Sequence, residues 1–244
     1  MKTTIVIPTY NEKENIGLLI HQILSLQVPG HSLHALVVDD NSPDGTSTAV
    51  KQISQNDTRV KLLTRTKKRG RGFAGLDGFL HAIADGADYV IEMDADFSHD
   101  PRYLTHLIKA LDEGADLAIG SRFIPGGKDS DRGLIRKIIS VFAGMYIRFI
   151  LKCAVKDPTS GYRAFKKVAL ETVDLENCIS SGPSILLELL YKCMAQNFRI
   201  VEIPIVFVDR KQGVTKLNWV TLLDTFVMVL RLRDLKKRGL LFST

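Results

Sequence analysis

The sequence predicts an α/β protein with a mainly parallel central sheet that is flanked by helices. The first observation is that short apolar runs alternate with amphipathic segments along the first half of the chain. The second is that these runs are apolar throughout, as expected of strands that helices cover on both faces. The third is that polar clusters follow several runs, and ligands of such sheets bind beyond the carboxyl ends of the strands.

Strand and helix signals follow one another in a regular order in the first half. The apolar runs that predict strands are residues 4–8, 35–40, 60–64, 89–93 and 115–121. Between them, apolar side chains recur at helical spacing over residues 13–26 and 73–84. A polar helix is predicted after the turn NSPDGT, and another helix begins at Pro101. Right-handed strand–helix–strand units of this kind build a parallel sheet.

The second half is predicted to be less regular. A long flexible loop, an apolar helix, a turn-rich motif, a further helix and an edge strand follow in that order, at residues 123–133, 134–151, 156–165, 183–196 and 199–207. The last segment is assigned to a sheet edge because Pro204 cannot donate within a strand ladder. A basic loop at 208–216 and a helix at 217–233 come next, and no linker interrupts the chain. We expect one main domain at 1–217, then an amphipathic helix and basic tail at 218–244.

Composition narrows the classes of function. The chain has 244 residues, of which 45% are hydrophobic and 25% charged, as in ordinary globular proteins. A net charge of +6 favours anionic partners such as phosphorylated ligands, nucleic acid or an acidic membrane surface. Neither basic loop has interleaved aromatic residues, so nucleic-acid binding is not expected. Cys153, Cys178 and Cys193 lack metal-ligand spacing and predict buried thiols.

Polar clusters follow three of the predicted strands. They are PTYNE after the first, DDNSPDG after the second and DADFSHD after the fourth. Because the carboxyl ends of parallel strands share one edge of a sheet, the clusters predict one site. Asp94 and Asp96 flank a single small residue and can share a hard divalent cation. Such a cation completes its shell with phosphates and water, which predicts a metal–diphosphate complex; a solvated, helix-capping turn is the alternative.

Segments spread over most of the chain together resemble the dolichol-phosphate mannose synthases. These segments are VIPTYNEKENI, VVDDNSPDGT, MDADFSHDP, GSRF, RKIIS, DPTSGYRAF and FVDRKQGVTKL. That family consists of inverting family 2 glycosyltransferases, so the resemblance implies a GT-A fold, a Rossmann-like fold for nucleotide sugars. Many family 2 enzymes share the first motifs, whereas SPDGT, DADFSHDP and DRKQGVTKL point to the polyprenyl-phosphate branch.

The resemblance also implies which residues form the site. Those expected to hold the nucleotide-sugar donor are Pro8, Tyr10, Glu12, Val38, Asp40, Asp94, Ala95, Asp96, Arg122, Arg210 and Lys216. Those expected to hold Mg²⁺ or Mn²⁺ are Asp94, Asp96 and Ser98, the last of which stands where some relatives carry a metal-binding Gln. Those expected at the acceptor phosphate are Arg122, Arg136 and Ser140. The catalytic candidates are Asp94, Asp96 and Arg122.

Elementary chemistry agrees with this assignment. Cleavage of the donor leaves charge on a nucleoside diphosphate, which a divalent ion together with Arg and Lys stabilises. A phosphate monoester is already a nucleophile at neutral pH, so cations that position it replace a strong general base. We expect in-line attack on the anomeric carbon with inversion. Asp157 is expected near the acceptor, or else as a turn residue of DPTSG, and His99 is expected to make only local hydrogen bonds.

Two further features concern cations and membranes. Arg69 and Arg71 stand where the relatives carry leucines; they meet donor phosphates or lipid headgroups, or belong to a solvated loop. Residues 137–151 and 219–238 are apolar with basic flanks and predict helices that lie in a membrane interface or pack on the sheet. Neither a membrane-spanning run nor a signal peptide is expected. We therefore expect a peripheral protein on the cytoplasmic face of a membrane, held by lipid or by a membrane-anchoring subunit.

The predicted function is transfer of mannose from GDP-mannose to a polyprenyl phosphate such as dolichyl phosphate. A close alternative uses another donor, such as UDP-glucose, with the same class of lipid. More distant alternatives are a basic nucleic-acid-binding module and a non-catalytic nucleotide-sugar sensor. Retention of the acidic and basic residues assigned to the site argues against the sensor.

Overall fold

In the computed structural model of the protein, a central sheet carries helices on both faces. The structure describes residues 1–67, 69–130, 133–180, 182, 184–208 and 219–242, without the side chains of 134–136 and 219–222. The strands are β1 Lys2–Thr9, β2 Ser32–Asp39, β3 Val60–Thr64, β4 Tyr89–Glu92, β5 Leu117–Ser121, β6 Lys128–Ser130, β7 Arg163–Lys166, β8 Ile200–Pro204 and β9 Val206–Val208. The helices are α1 Lys13–Ser25, α2 Thr46–Ser54, α3 Arg71–Ala84, α4 Leu104–Asp112, α5 Leu134–Leu151, α6 Lys167–Thr172, α7 Ser184–Ala195 and α8 Trp219–Lys237.

The main sheet is mostly parallel, as predicted. Within the described residues it has seven strands in the order β3-β2-β1-β4-β7-β5-β8. Only β7 among them runs antiparallel to its neighbours, β4 and β5. Pro8 of β1 pairs with Val38 of β2, and Val6 pairs with Glu92 of β4, so these strands end close together. A separate parallel pair joins β6 to β9.

Two apolar layers enclose the sheet. On one face α3, α5, α7 and α8 bury a cluster in which Phe79 and Phe165 meet edge to face, with centroids 5.6 Å apart. On the other face α1 and α4 bury residues such as Ile16 and Leu107. Because both faces are covered, all residues of β4 and β5 and the middle residues of β1 are buried, which explains the apolar runs in these strands.

The second half differs from the sequence prediction in three places. Residues 123–133, expected to be a loop, contain β6, which pairs with β9. The turn-rich segment 156–165 runs into β7, a strand in the middle of the sheet. Its sequence RAFK looks polar, yet Arg163 is fully buried. The short helix α6 is also absent from the prediction. Pro204 ends β8 at a sheet edge, as predicted.

Candidate active site

The polar clusters come together at one edge of the main sheet. Tyr10 and Glu12 follow β1, Asp40 follows β2, and Asp94 follows β4. Because β7 is antiparallel, the DPTSGY segment that precedes it lies at the same edge, beside Arg122 at the end of β5. The polar clusters therefore lie at one edge of the sheet, as the sequence predicts.

Short hydrogen-bonded turns present the residues that follow β1. The Tyr10 ring is partly exposed, and the guanidinium of Arg69 lies over it, 4.8 Å from the ring centroid. The carboxylate of Glu12 accepts a hydrogen bond from Asn15 Nδ2 at 2.9 Å. The backbone N–H of Glu12 donates to Thr46 Oγ1 at 3.0 Å. These contacts fix the turn that carries two of the expected donor-binding side chains.

Val38 and Asp40, which were expected to contact the donor, are both buried. The side chain of Val38 lies in the core, so only its backbone can meet a ligand. Asp40 accepts a hydrogen bond from the backbone N–H of Gly70 at 2.6 Å and another from the guanidinium of Arg65. Arg65 also donates its Nε to Asp77 Oδ2 at 2.6 Å. Asp40 therefore anchors the loop that leads into α3.

The DAD segment forms a tight turn directly after β4. Phe97 has a φ of +60°, so the chain reverses there and the alternation of the strand is lost. The backbone N–H and Oγ of Ser98 both donate to Asp96 Oδ1, at 3.1 and 2.6 Å. Ala95 and Ser98 are buried within this turn. The Ser98 hydroxyl, expected as a metal ligand, thus supports the Asp96 carboxylate.

His99 lies buried beneath the same turn. Its ring stacks on that of Tyr162 with centroids 4.8 Å apart. Its Nδ1 accepts a hydrogen bond from the backbone N–H of Asp94 at 3.0 Å. Burial lowers the pKa of His99 below its ordinary value. The local hydrogen bonding predicted for this histidine is confirmed.

Arg71, the first residue of α3, reaches the DAD turn. Its Nε and Nη2 both donate to Asp94 Oδ1, at 2.8 and 2.6 Å. Its Nη1 lies 3.3 Å from Glu92 Oε1. The alternative of a solvated loop is therefore wrong for Arg71, whereas Arg69 is exposed.

Arg122 and Asp157 form a buried ion pair between the end of β5 and the turn that precedes β7. Nε and Nη2 of Arg122 donate to the two carboxylate oxygens at 2.7 Å each, and its backbone N–H donates at 3.0 Å. Nη2 also donates to Thr159 Oγ1 at 2.9 Å. Burial acts against the charged carboxylate, yet the Arg122 guanidinium holds the pKa of Asp157 below its ordinary value. Two residues singled out from the sequence thus contact each other.

Glu92 and Arg163 are functional-site neighbours that the sequence reasoning missed. They pair across β4 and β7, and both are buried. Arg163 donates to the carbonyl oxygens of Pro158 and Ser160 at 2.7 and 2.8 Å, and so orders the DPTSG turn. Burial raises the pKa of Glu92 to about 7 and lowers that of Arg163 to about 10. Their signal in the sequence is a single charge flanked by apolar or aromatic residues, in YVIEM and in GYRAF.

Several expected ligand contacts fall at the margin of the described structure. Ser140 lies on α5 and is partly exposed. Arg136 belongs to the same helix, but its side chain lies outside the described residues. Arg210 and Lys216 lie in 209–218, which is also outside them. Their roles at the acceptor and donor phosphates stay predictions.

The carboxylates at this edge suit a hard divalent cation. Within the described ranges, no group of three or more His, Cys, Asp or Glu side chains is arranged around a metal position. Asp94 and Asp96 offer oxygen ligands from one turn. Mg²⁺ is commonly held by one or two carboxylates and completed by substrate phosphates and water. The donor set therefore fits an ion that binds together with a diphosphate.

An apolar surface lies on α5 and α8. The two helices pack through Tyr146 and Phe226, whose ring centroids are 4.4 Å apart, and the Tyr146 hydroxyl donates to the Phe226 carbonyl at 3.2 Å. The exposed apolar side chains of this surface are Ile138, Val141, Phe142, Met145, Phe149, Leu223, Val227 and Leu230. Clustered exposure of this kind marks an interaction site. In the described part of the chain, every helix is too short or too polar to pass through a bilayer.

Known proteins resemble most of the chain. Residues 4–174 match the family Glycosyl transferase family 2. The polyprenol monophosphomannose synthase of Mycolicibacterium smegmatis is 40% identical over 218 residues, which are 89% of this chain and 81% of that protein. The undecaprenyl-phosphate mannosyltransferase of Micrococcus luteus is 39% identical over 89% of this chain and 88% of that protein. The dolichol-phosphate mannosyltransferase of Pyrococcus furiosus is 37% identical over 95% of this chain and 64% of that protein.

Solved structures resemble the fold. Glucosyl-3-phosphoglycerate synthase from Mycobacterium tuberculosis, in complex with Mn²⁺, UDP and phosphoglyceric acid, has a TM-score of 0.67 and 20% identity, over 98% of this chain and 78% of that chain. The same enzyme with Mg²⁺ and UDP has a TM-score of 0.65 and 18% identity, over 98% and 79%. At this identity the likeness concerns the fold alone, and it confirms the predicted GT-A fold.

Proposed function

Because the chain belongs to glycosyl transferase family 2, we propose that this glycosyltransferase moves mannose from GDP-mannose to a polyprenyl phosphate with the aid of Mg²⁺ or Mn²⁺. The observation that carries the proposal is the 37–40% identity to three mannosyltransferases named for polyprenol, undecaprenyl-phosphate and dolichol-phosphate. The family resemblance predicted from the sequence motifs is thereby confirmed.

The donor is assigned to the side of the site formed after β1, β2 and β4. Tyr10 and Glu12 are presented there by a fixed turn, and the buried Asp40 holds the loop of Gly70 against it. Asp94 and Asp96 would hold the divalent ion beside the diphosphate. A bound ion of this kind supplies positive charge that stabilises the departing nucleoside diphosphate.

The acceptor phosphate is assigned to the side formed by Arg122 and α5. Asp157 holds two nitrogens of the Arg122 guanidinium, while Nη1 makes no hydrogen bond to another described residue. A guanidinium that is fixed in this way binds a phosphate oxygen without losing side-chain entropy at that moment. A phosphate oxygen of the acceptor then attacks the anomeric carbon as the bond to the donor diphosphate breaks. Attack opposite the leaving group inverts the configuration of that carbon.

The lipid part of the acceptor is assigned to the apolar surface of α5 and α8. Ser140, expected at the acceptor phosphate, lies on the same helix, α5, as the exposed Ile138 and Val141 of that surface. Exposed Arg231 and Arg233 on α8 supply charge for anionic headgroups. We infer that the protein works at the cytoplasmic face of a membrane, through this surface or through a membrane-anchoring subunit that covers it.

A panel of donors tests the proposal. Purified protein, a polyprenyl phosphate in detergent and Mg²⁺ or Mn²⁺ are incubated separately with GDP-mannose, UDP-glucose and UDP-N-acetylglucosamine, and glycolipid is detected by mass spectrometry. The proposal expects product from GDP-mannose. Product from a UDP-sugar alone would replace the donor but keep the reaction class, and no product from any donor would contradict the assigned acceptor.

A further inference from the structure

We propose that Arg71 is a resident counter-ion of the Asp94–Asp96 pair, which disfavours binding of a divalent cation alone and favours the cation that arrives with a diphosphate. This inference rests on the proposed function, because it takes those two carboxylates as the metal site. It concerns the order and selectivity of binding, which the family assignment leaves open.

The contacts of Arg71 show that its charge is built into the site. Nε and Nη2 both donate to the same oxygen of Asp94, at 2.8 and 2.6 Å. On its other side the guanidinium packs against Gly161 of the DPTSGY turn. The contact is so close that a Cβ added to Gly161 would lie only 2.5 Å from Nη2 of Arg71. The side chain is still 32% exposed, so a ligand at the sheet edge can reach it.

The electrostatic consequence has opposite signs for the two ligands. A bare divalent cation that approaches Asp94 is repelled by the guanidinium already paired with it, and competes with Arg71 for that carboxylate. A diphosphate brings negative charge that Arg71 attracts, and phosphate oxygens are good partners for a guanidinium. Arg71 should therefore raise the dissociation constant of the cation alone and strengthen the coupling between cation and nucleotide.

Arg69 provides a matched control within the same loop. It carries the same charge two residues away, is exposed, and lies over the Tyr10 ring rather than on the DAD carboxylates. If general loop charge set the affinity for cations, removal of either arginine would have the same effect. If the pairing with Asp94 sets it, only removal of Arg71 matters.

The test is titration of Mn²⁺, followed by electron paramagnetic resonance, with and without GDP. We expect Arg71→Met to bind Mn²⁺ alone about tenfold more tightly than the wild type does, as removal of one nearby unit charge predicts. We also expect GDP to increase the Mn²⁺ affinity of this variant by a smaller factor than it does in the wild type. Without GDP, Arg71→Lys, which keeps the charge, should bind Mn²⁺ about as tightly as the wild type, and so should Arg69→Met. Thermal unfolding of each variant checks the fold, since Arg71 also approaches the buried Glu92.

Two results overturn the counter-ion role. One is an Arg71→Met variant that binds Mn²⁺ no more tightly than the wild type, including the case in which neither binds. The other is an equal gain in Arg69→Met. The Asp96→Asn variant distinguishes this failure from failure of the proposed function. If Asp96→Asn binds Mn²⁺ as tightly as the wild type does, the metal does not lie on the DAD turn and both assignments fall.

Discussion

Arg122 and Asp157 are 35 residues apart in the chain and form a buried, two-pronged ion pair with two N–O distances of 2.7 Å. The pair connects the end of β5 to the turn that precedes β7. Glu202 supports the same turn by accepting hydrogen bonds from the backbone N–H groups of Lys156 and Asp157, at 2.7 and 2.9 Å. The arginine expected to position the acceptor phosphate is thus held by the sheet itself.

Removal of one partner of this pair should destabilise the protein strongly. We expect Asp157→Asn to lower the free energy of unfolding at pH 7 by about 3–5 kcal/mol, because it leaves the Arg122 charge buried without its counter-ion. Urea denaturation followed by circular dichroism measures the change. Asp57→Asn is the matched control, since Asp57 pairs with the more exposed Arg59 and should cost no more than about 1 kcal/mol.

The stability that Asp157 contributes should also depend on pH. Its folded-state pKa lies below the ordinary value because Arg122 offsets the cost of burial. A depressed pKa contributes stability that is fully present above the unfolded pKa of about 3.9 and is lost as pH falls through the folded value. The difference in unfolding free energy between wild type and Asp157→Asn should therefore shrink below about pH 4. A difference that stays constant as the pH falls from about 4 towards 2 would contradict this.

Loss of Asp96 should remove activity and leave the fold intact. We expect Asp96→Ala to slow sugar transfer by more than about a hundredfold, because a divalent ion supplies several kcal/mol of charge stabilisation. Initial rates of glycolipid formation measure the effect, and thermal unfolding checks the fold. Glu113→Ala, an exposed carboxylate at the end of α4, should retain wild-type turnover. Normal turnover by Asp96→Ala would contradict the proposal that this turn holds the metal ion.

The sequence predicts that the polar clusters share one edge of the sheet, because that position follows from general rules. Strands with apolar residues on both faces predict a parallel sheet, and polar clusters after such strands predict a site at their carboxyl ends. The position of Asp94 and Asp96 after β4 needed no knowledge of tertiary contacts. Their environment could be known only from tertiary contacts, because Arg71 of α3 bonds to Asp94, which lies 23 positions away in the sequence.

The antiparallel strand β7 shows what local patterns leave out. Arg163 makes its segment look like a surface turn, whereas backbone carbonyls of the DPTSG turn and α7 surround its guanidinium inside the protein. A buried charge is stable only with partners, and those partners come from other segments of the chain. For the same reason the sequence suggested Asp157 near the acceptor, or as a turn residue, but could not show that it holds Arg122.

The apolar surface of α5 and α8 should bind lipid. We expect Phe149→Ser to weaken cosedimentation with vesicles that contain anionic lipid by about tenfold or more, since burial of a Phe side chain is worth about 1.5–3 kcal/mol. Phe149 is 83% exposed, so the substitution should not disturb the core. Leu18→Ser, at an exposed apolar position on α1, is the control. Equal binding by wild type and Phe149→Ser would show that this surface does not enter the membrane.

The start of α3 should tolerate no side chain at Gly72. A Cβ there would lie 1.7 Å from the carbonyl oxygen of Gly182, so α3 or the segment before α7 must shift. We expect Gly72→Ala to lower the free energy of unfolding by at least about 1–3 kcal/mol, as overpacking does. Gly17→Ala is the control, because its Cβ would meet only Ile53 at 3.9 Å; it should be neutral or stabilise α1 by up to about 1 kcal/mol. Equal stability of the two variants would contradict the close contact.

The configuration of the product tests the central claim most directly. Wild-type protein is supplied with GDP-mannose, a polyprenyl phosphate and Mg²⁺, and the anomeric carbon of the purified glycolipid is analysed by nuclear magnetic resonance. Direct attack by the acceptor phosphate, positioned by Arg122 without a covalent intermediate, predicts mannosyl phosphate of configuration opposite to that in the donor. A product that retains the donor configuration, or a lipid that carries no mannose, would contradict the account.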